Sequence, residues 1–125
     1  MDFILNFSQL DKSSLPLVGG KNASLGEMIK AGIRVPPGYA VTTDSYLISM
    51  EKAEIKDKIS DLLCGLNPDN LEALNHTAAE VQQMIHTAAI PDEVQQAIAN
   101  GYSQLCKQCR AALKNGKMQD ALSAV

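Results

Sequence analysis

The sequence contains no tryptophan, and its aromatic share is only 4%. Ala, Leu, Ile and Val must therefore fill most of any core. There is no basic excess: the formal net charge is −3, so no cationic surface recommends nucleic acid or an anionic membrane as a partner. No apolar run approaches the roughly 18 residues of a membrane span. The opening "MDFILNFSQLDKSSLP" carries an acid at Asp2 and no basic region before its short apolar stretch. It does not read as a secretory signal, so the default compartment is cytoplasmic. Cysteine is sparse, with only Cys64, Cys106 and Cys109. An odd count without a secretion signal argues for free thiols. Cys106 and Cys109 form a CxxC, but a second ligand pair for zinc is missing. The pair falls inside a helical pattern, where cysteine packs as a small hydrophobe.

What is present suits a soluble α/β domain. The 125 residues are 46% hydrophobic and 20% charged, a globular balance and one ordinary domain's length. Short strands are expected near 3–7 and 39–42, and helices near 21–31, 43–52, 54–64, 68–88 and 91–114. "DKSSLPLVGG" reads as loop. In the first helix Leu25, Met28, Ile29 and Gly32 recur at i, i+3, i+4 and i+7, one helix face. Gly32 suits a left-handed stop followed by Ile33. Gly26 lies inside that helix at a cost of about 1 kcal/mol relative to Ala, which marks a close backbone approach. "RVPPGYAVTTDSY" cannot be helix through Pro36, Pro37 and Gly38. Thr42 or Thr43 can cap the helix that follows.

Residues 54–115 read as three amphipathic helices in series, forming an antiparallel cluster. Ile55, Ile59, Leu62, Leu63 and Leu66 stripe the first. Asn67 and Pro68 read as the cap and first residue of the second, striped by Leu71, Leu74, Ala78, Val81, Ile85 and Ala88. Pro91 opens the third, which shows Val94, Ile98, Leu105 and Ala112 on one face and ends at Asn115-Gly116. The final "KMQDALSAV" begins another apolar run and stops, so residues 1–125 are expected to be a piece of a longer protein.

One stretch carries chemistry. In "LPLVGGKNASLGEM" Gly19 and Gly20 precede Lys21 at a helix start. The first turn of a helix offers unpaired N–H groups and a positive dipole end, which favour anions. Glycine permits close backbone approach, and a lysine adds a mobile full charge. This is not a Walker A loop, because Leu15 and Asn22 stand where that motif needs glycine and a hydroxyl residue. On spacing alone a plain turn with a solvated lysine competes with a phosphate grip.

"VGGKNASLGEM" followed by "GIRVPPGYAVTTDSY" resembles the phosphoenolpyruvate synthase family, which extends to pyruvate phosphate dikinase and rifampicin phosphotransferase. The two strings cover residues 18–28 and 32–46, with weaker helical similarity to about residue 113. Asn22 and "SLGEM" favour the synthase branch. The resemblance implies the N-terminal part of an ATP-grasp-like nucleotide domain, with Lys21 on ATP phosphates and Gly19 and Gly20 shaping the loop. It implies a phosphotransferase that converts pyruvate to phosphoenolpyruvate with ATP and water through a phosphohistidine, giving AMP and phosphate. The partner arginine, the Mg²⁺ ligands, the phosphohistidine domain and the pyruvate-binding barrel would lie outside these residues, so the piece alone is expected to be inactive and to bind ATP weakly. A rifampicin-type phosphotransferase, a pyruvate phosphate dikinase and a non-catalytic helical module stand as alternatives. His76 and His86, ten residues apart, make no i, i+4 ligand pair and read as surface or boundary residues. Asp57, Asp61, Asp69 and Glu72 read as solvated helix charges. Oligomeric state is not readable.

Overall fold

A computed structural model describes residues 2–114. The expected Asn115-Gly116 stop and the "KMQDALSAV" run lie outside the described residues. The elements are β1 (Ile4–Asn6), short 3-10 turns at Phe7–Gln9 and Lys12–Ser14, α1 (Leu15–Lys30), β2 (Tyr39–Val41), α2 (Thr43–Lys52), α3 (Lys56–Leu63), α4 (Leu71–Thr87) and α5 (Asp92–Lys114). The chain divides into two compact units. One runs from the N-terminus to Ser45 and resumes at Asp92; the other is Tyr46–Pro91.

In the first unit β1 and β2 pair antiparallel, with Ile4 opposite Val41, Leu5 opposite Ala40 and Asn6 opposite Tyr39. Leu10, Val18, Ala23 and Ala40 form the buried cluster, with Leu5 and Phe7 packed against it. The stretch expected as loop at 11–20 is largely helical. Asp11 accepts from the Ser13 amide at 2.8 Å and opens the second 3-10 turn, and Pro16 sits at the start of α1, where its missing N–H costs nothing.

The buried face of α1 differs from the expected stripe. Val18, Ala23 and Gly26 are buried, while Met28 is 38% exposed. Small residues face the core because Leu10 comes too close for large ones, as expected at Gly26: a Cβ there would stand 2.3 Å from the Leu10 carbonyl oxygen. The end of α1 is as expected. The Gly32 amide donates to Ile29 O at 3.0 Å and the Ile33 amide to Met28 O at 2.9 Å, with Gly32 at φ 80°, the paired bonds of a Schellman stop.

Thr42, not Thr43, caps α2. Its hydroxyl donates to Asp2 O at 2.7 Å and accepts from the Ser45 amide at 3.3 Å. The Ser45 hydroxyl donates to Phe3 O at 2.6 Å. Thr43 turns elsewhere and donates to Pro16 O at 2.9 Å.

The three helices expected as one cluster are distributed over both units. α5 packs on β1, because Gly101 is buried where a Cβ would meet Ile4 Cδ1 at 2.5 Å and the Tyr39 hydroxyl donates to Ile98 O at 3.1 Å. In the other unit α3 packs with α4. Ile55 is buried there, but Leu63 is 53% exposed. On α4 the inward face holds Leu74, Thr77, Val81, Met84 and Ala88, and the expected Leu71, Ala78 and Ile85 lie outside it. Asn67 and Pro68 make a turn rather than a helix start: the Asn67 side chain accepts from the Asp69 amide at 3.0 Å. Asn70 is the cap, accepting from the Ala73 amide at 3.2 Å. The observed face keeps Leu74, Val81 and Ala88 and takes in Thr77 and Met84 in place of Leu71, Ala78 and Ile85, a turn of about half a residue step around the helix.

Candidate functional site

The glycine–lysine stretch lies within α1, at a break. Gly19 has φ 79° and ψ 169°, which is not helical. That region of backbone space is essentially restricted to glycine. Leu15–Val18 is therefore one helical turn, and a second helical segment begins at Gly20 and runs to Lys30. The expected helix start is borne out, and the expected flexible loop before it is replaced by a short helical turn with one sharp bend.

The bend is tied on both sides. The Asn22 side-chain amide donates to Val18 O at 2.9 Å, reaching back across Gly19. Thr43 holds the turn before the bend through Pro16 O. Behind the helix, Glu27 accepts from the Lys12 amide at 2.7 Å. Lys30 pairs with Asp11 at 2.7 Å. That ammonium, with the Ser13 hydroxyl and amide, holds the Asp11 carboxyl well below the ordinary carboxylate range, and Asp11 in turn raises Lys30. The Asp11 and Glu27 carboxylates and the Lys30 ammonium are thus committed to structure. Lys21 is exposed and has no ion pair or hydrogen bond among the described residues.

Gly20 and Lys21 occupy the first turn of the new segment, where amide N–H groups lack acceptors one turn earlier and the dipole is positive. The arrangement offers a full charge, a helix mouth and a backbone free of side chains on Gly19 and Gly20. Such an arrangement favours an anion. Among the described residues no group of three or more His, Cys, Asp or Glu is gathered that could hold a metal ion. The groove of about 370 Å³ bounded by Phe7, Ile29, Ile33, Val35 and Pro37 has none of the three residues in its lining.

The other residues singled out in the sequence are not drawn to this stretch. His76 is on α4, 76% exposed, and pairs with Glu80 at 2.8 Å. His86, Asp57, Asp61, Asp69 and Glu72 are exposed. Cys106 and Cys109 are half-buried free thiols on α5, and Cys64 is exposed. Sequence reasoning missed the part played by Asn22 as a tie across the bend. An amide side chain four residues after the last residue of a helical turn was the available signal.

Comparison with known proteins bears on the same stretch. The family model described as pyruvate phosphate dikinase, AMP/ATP-binding domain, matches residues 15–118. A probable phosphoenolpyruvate synthase of Staphylothermus marinus is 43% identical over 85% of this chain and 13% of its own length. A phosphoenolpyruvate synthase of Pseudomonas aeruginosa is 33% identical over 97% of the chain and 17% of its own length. A rifampicin phosphotransferase of Streptomyces sviceus is 30% identical over 96% and 14%. The chain therefore spans less than a fifth of each of these relatives. With residues 15–118 matched, which include the bend at Gly19 and the lysine beyond it, the chain belongs to the pyruvate phosphate dikinase AMP/ATP-binding domain family.

Proposed function

We propose that this chain forms the phosphate-gripping part of an ATP site in a phosphoenolpyruvate synthase, and that Lys21 is the gripping residue. The observation that carries the reading is the uncommitted ammonium of Lys21 at a helix mouth opened by Gly19, in a chain whose family is described as AMP/ATP-binding. The synthase names among the relatives support the choice of enzyme.

The reaction proposed for the whole protein consumes ATP, pyruvate and water and yields AMP, phosphoenolpyruvate and phosphate, with a histidine carrying the phosphoryl group between the two sites. Catalysis of such transfers is chiefly positioning and charge stabilisation. Lys21 would offset negative charge on the triphosphate and fix its register, and the first-turn amides of the segment beginning at Gly20 would hold its oxygens. Gly19 would set the direction of that segment. Thr43 and Asn22 would keep the bend in place as the ligand arrives. Mg²⁺ chemistry, the histidine and the pyruvate site are assigned to residues outside this chain, as is the rest of an ATP-grasp-like domain. A cytoplasmic location accords with this metabolism.

A rifampicin-type phosphotransferase is the second reading, favoured by the Streptomyces sviceus relative. The two share the ATP end and differ in the acceptor.

The test is Lys21→Ala in the complete polypeptide, followed by ATP titration calorimetry and thermal unfolding. The expected result is at least a tenfold weaker ATP affinity, about 1.4 kcal/mol, with unchanged melting because the side chain is exposed and unpaired. Equal affinity would remove the phosphate role. Activity with pyruvate against activity with rifampicin separates the two readings.

A further inference from the structure

The described glycines fall into two groups and leave one over. Gly19, Gly32 and Gly65 have φ of 79°, 80° and 75°, a region other residues avoid. Gly26, Gly38 and Gly101 have neighbours at 2.3, 2.4 and 2.5 Å from where a Cβ would stand. Each of these six is required by the chain's own backbone or packing.

Gly20 has neither reason. Its φ is not in the positive region. A Cβ there would meet only Leu15 Cδ1, at 3.7 Å, an ordinary contact. It is exposed and lies at the start of a helical segment. The fold would accept a side chain at position 20.

We propose that Gly20 is a positioning residue for the polyphosphate: its missing side chain keeps the surface beside Lys21 open, so that phosphate oxygens reach the backbone. The inference rests on the ATP reading of Lys21 and adds to it a size limit at the neighbouring position. Gly19 and Gly20 then have different duties. The first bends the chain for the protein's sake, and the second stays bare for the ligand's sake.

The test compares Gly20→Ala, Gly20→Ser and Lys21→Ala in the complete polypeptide, by thermal unfolding and by calorimetric titration with ATP and with adenosine. Gly20→Ala is expected to melt at or above the wild-type temperature. Its ATP affinity is expected to fall at least tenfold with adenosine affinity unchanged, and Gly20→Ser is expected to bind ATP no better than Gly20→Ala. A purely structural role would move the melting temperature and both ligands together. Wild-type ATP affinity in Gly20→Ala overturns the proposal, and so does a lowered melting temperature. These outcomes are independent of Lys21→Ala. Retained affinity in that variant removes the lysine's role, whereas a loss there with full affinity in Gly20→Ala removes only the size limit.

Discussion

Gly26 lies against the backbone of Leu10 so closely that a Cβ on Gly26 would stand 2.3 Å from the Leu10 carbonyl oxygen and 2.4 Å from its carbon. Leu10 is 1% exposed and anchors the buried cluster of the first unit. The obstacle is main chain, which cannot swing aside as a side-chain tip can. Two effects oppose each other in Gly26→Ala. Helix propensity favours alanine by about 1 kcal/mol, and overpacking costs about 1–3 kcal/mol, at the upper end where backbone must move. The expected net result is a loss of about 2 kcal/mol in urea unfolding. A gain in stability would show that α1 and the Leu10 segment can separate without cost.

The opposite sign is expected at Glu54. This residue has φ 58°, the left-handed conformation that costs a side-chain-bearing residue about 1–2 kcal/mol. It ends α2 in the manner that Gly32 ends α1: its amide donates to Glu51 O at 3.0 Å, and the Ile55 amide donates to Met50 O at 3.2 Å. Met50 and Ile55 are both buried, which holds the stop in place whatever residue occupies position 54. Glu54→Gly should therefore raise stability by about 1 kcal/mol, less the greater freedom glycine gives the unfolded chain. A drop in the unfolding midpoint would mean that the carboxylate contributes more than the backbone strain removes.

The Asp11–Lys30 pair sets a pH dependence. The folded Asp11 carboxyl lies below its unfolded value near 3.9, owing first to Lys30 and then to Ser13. Its contribution is therefore complete above the unfolded value and is lost as pH falls through the folded one. Lys30 is raised by Asp11, so its contribution is complete below the unfolded value near 10.4 and is lost as pH rises through the folded one. Both groups face solvent, which limits the size of the effect. The stability difference between wild type and Asp11→Asn should be flat from about pH 5 to 9, and should shrink in stronger acid and in strong base. A difference that disappears near pH 6 would assign it to another group.

These comparisons show what local chemistry can and cannot reveal. Both strands, the Gly32–Ile33 stop, the close approach at Gly26 and the helix beginning after Gly19 follow from residues that act on their own neighbourhood. The errors come from non-local facts. Thr77 is buried on α4 while Leu71 is 69% exposed, because the side of α4 that is covered is set by its packing with α3 and not by the helix's own hydrophobicity. Gly101, which the stripe of α5 does not single out, is the place where that helix meets Ile4 and Tyr39. Nothing in a hydrophobic stripe names its partner. At the site, the exposure of Lys21 agrees with a ligand-facing residue, whereas its proposed role on phosphate is implied by the family resemblance and not by the spacing of Gly19, Gly20 and Lys21.

The bend itself can be tested at Gly19. With φ 79° and ψ 169°, alanine there would cost about 1–3 kcal/mol if the geometry were kept. The chain has a cheaper response, since Leu15–Val18 is already helical and alanine is the best helix former. Gly19→Ala is expected to straighten α1 into one continuous helix. Straightening would supply intrahelical acceptors to the amides after the bend and pull Asn22 away from its present reach to Val18 O. The predicted signature is a shift of the Leu15–Asn22 backbone resonances toward helical values, together with at least tenfold weaker ATP binding in the complete polypeptide. Lys21→Ala should weaken binding without moving those resonances beyond its immediate neighbours. If Gly19→Ala leaves the resonances and the melting temperature unchanged, the left-handed backbone at position 19 is not what opens the helix mouth, and the lysine would have to act from a different geometry.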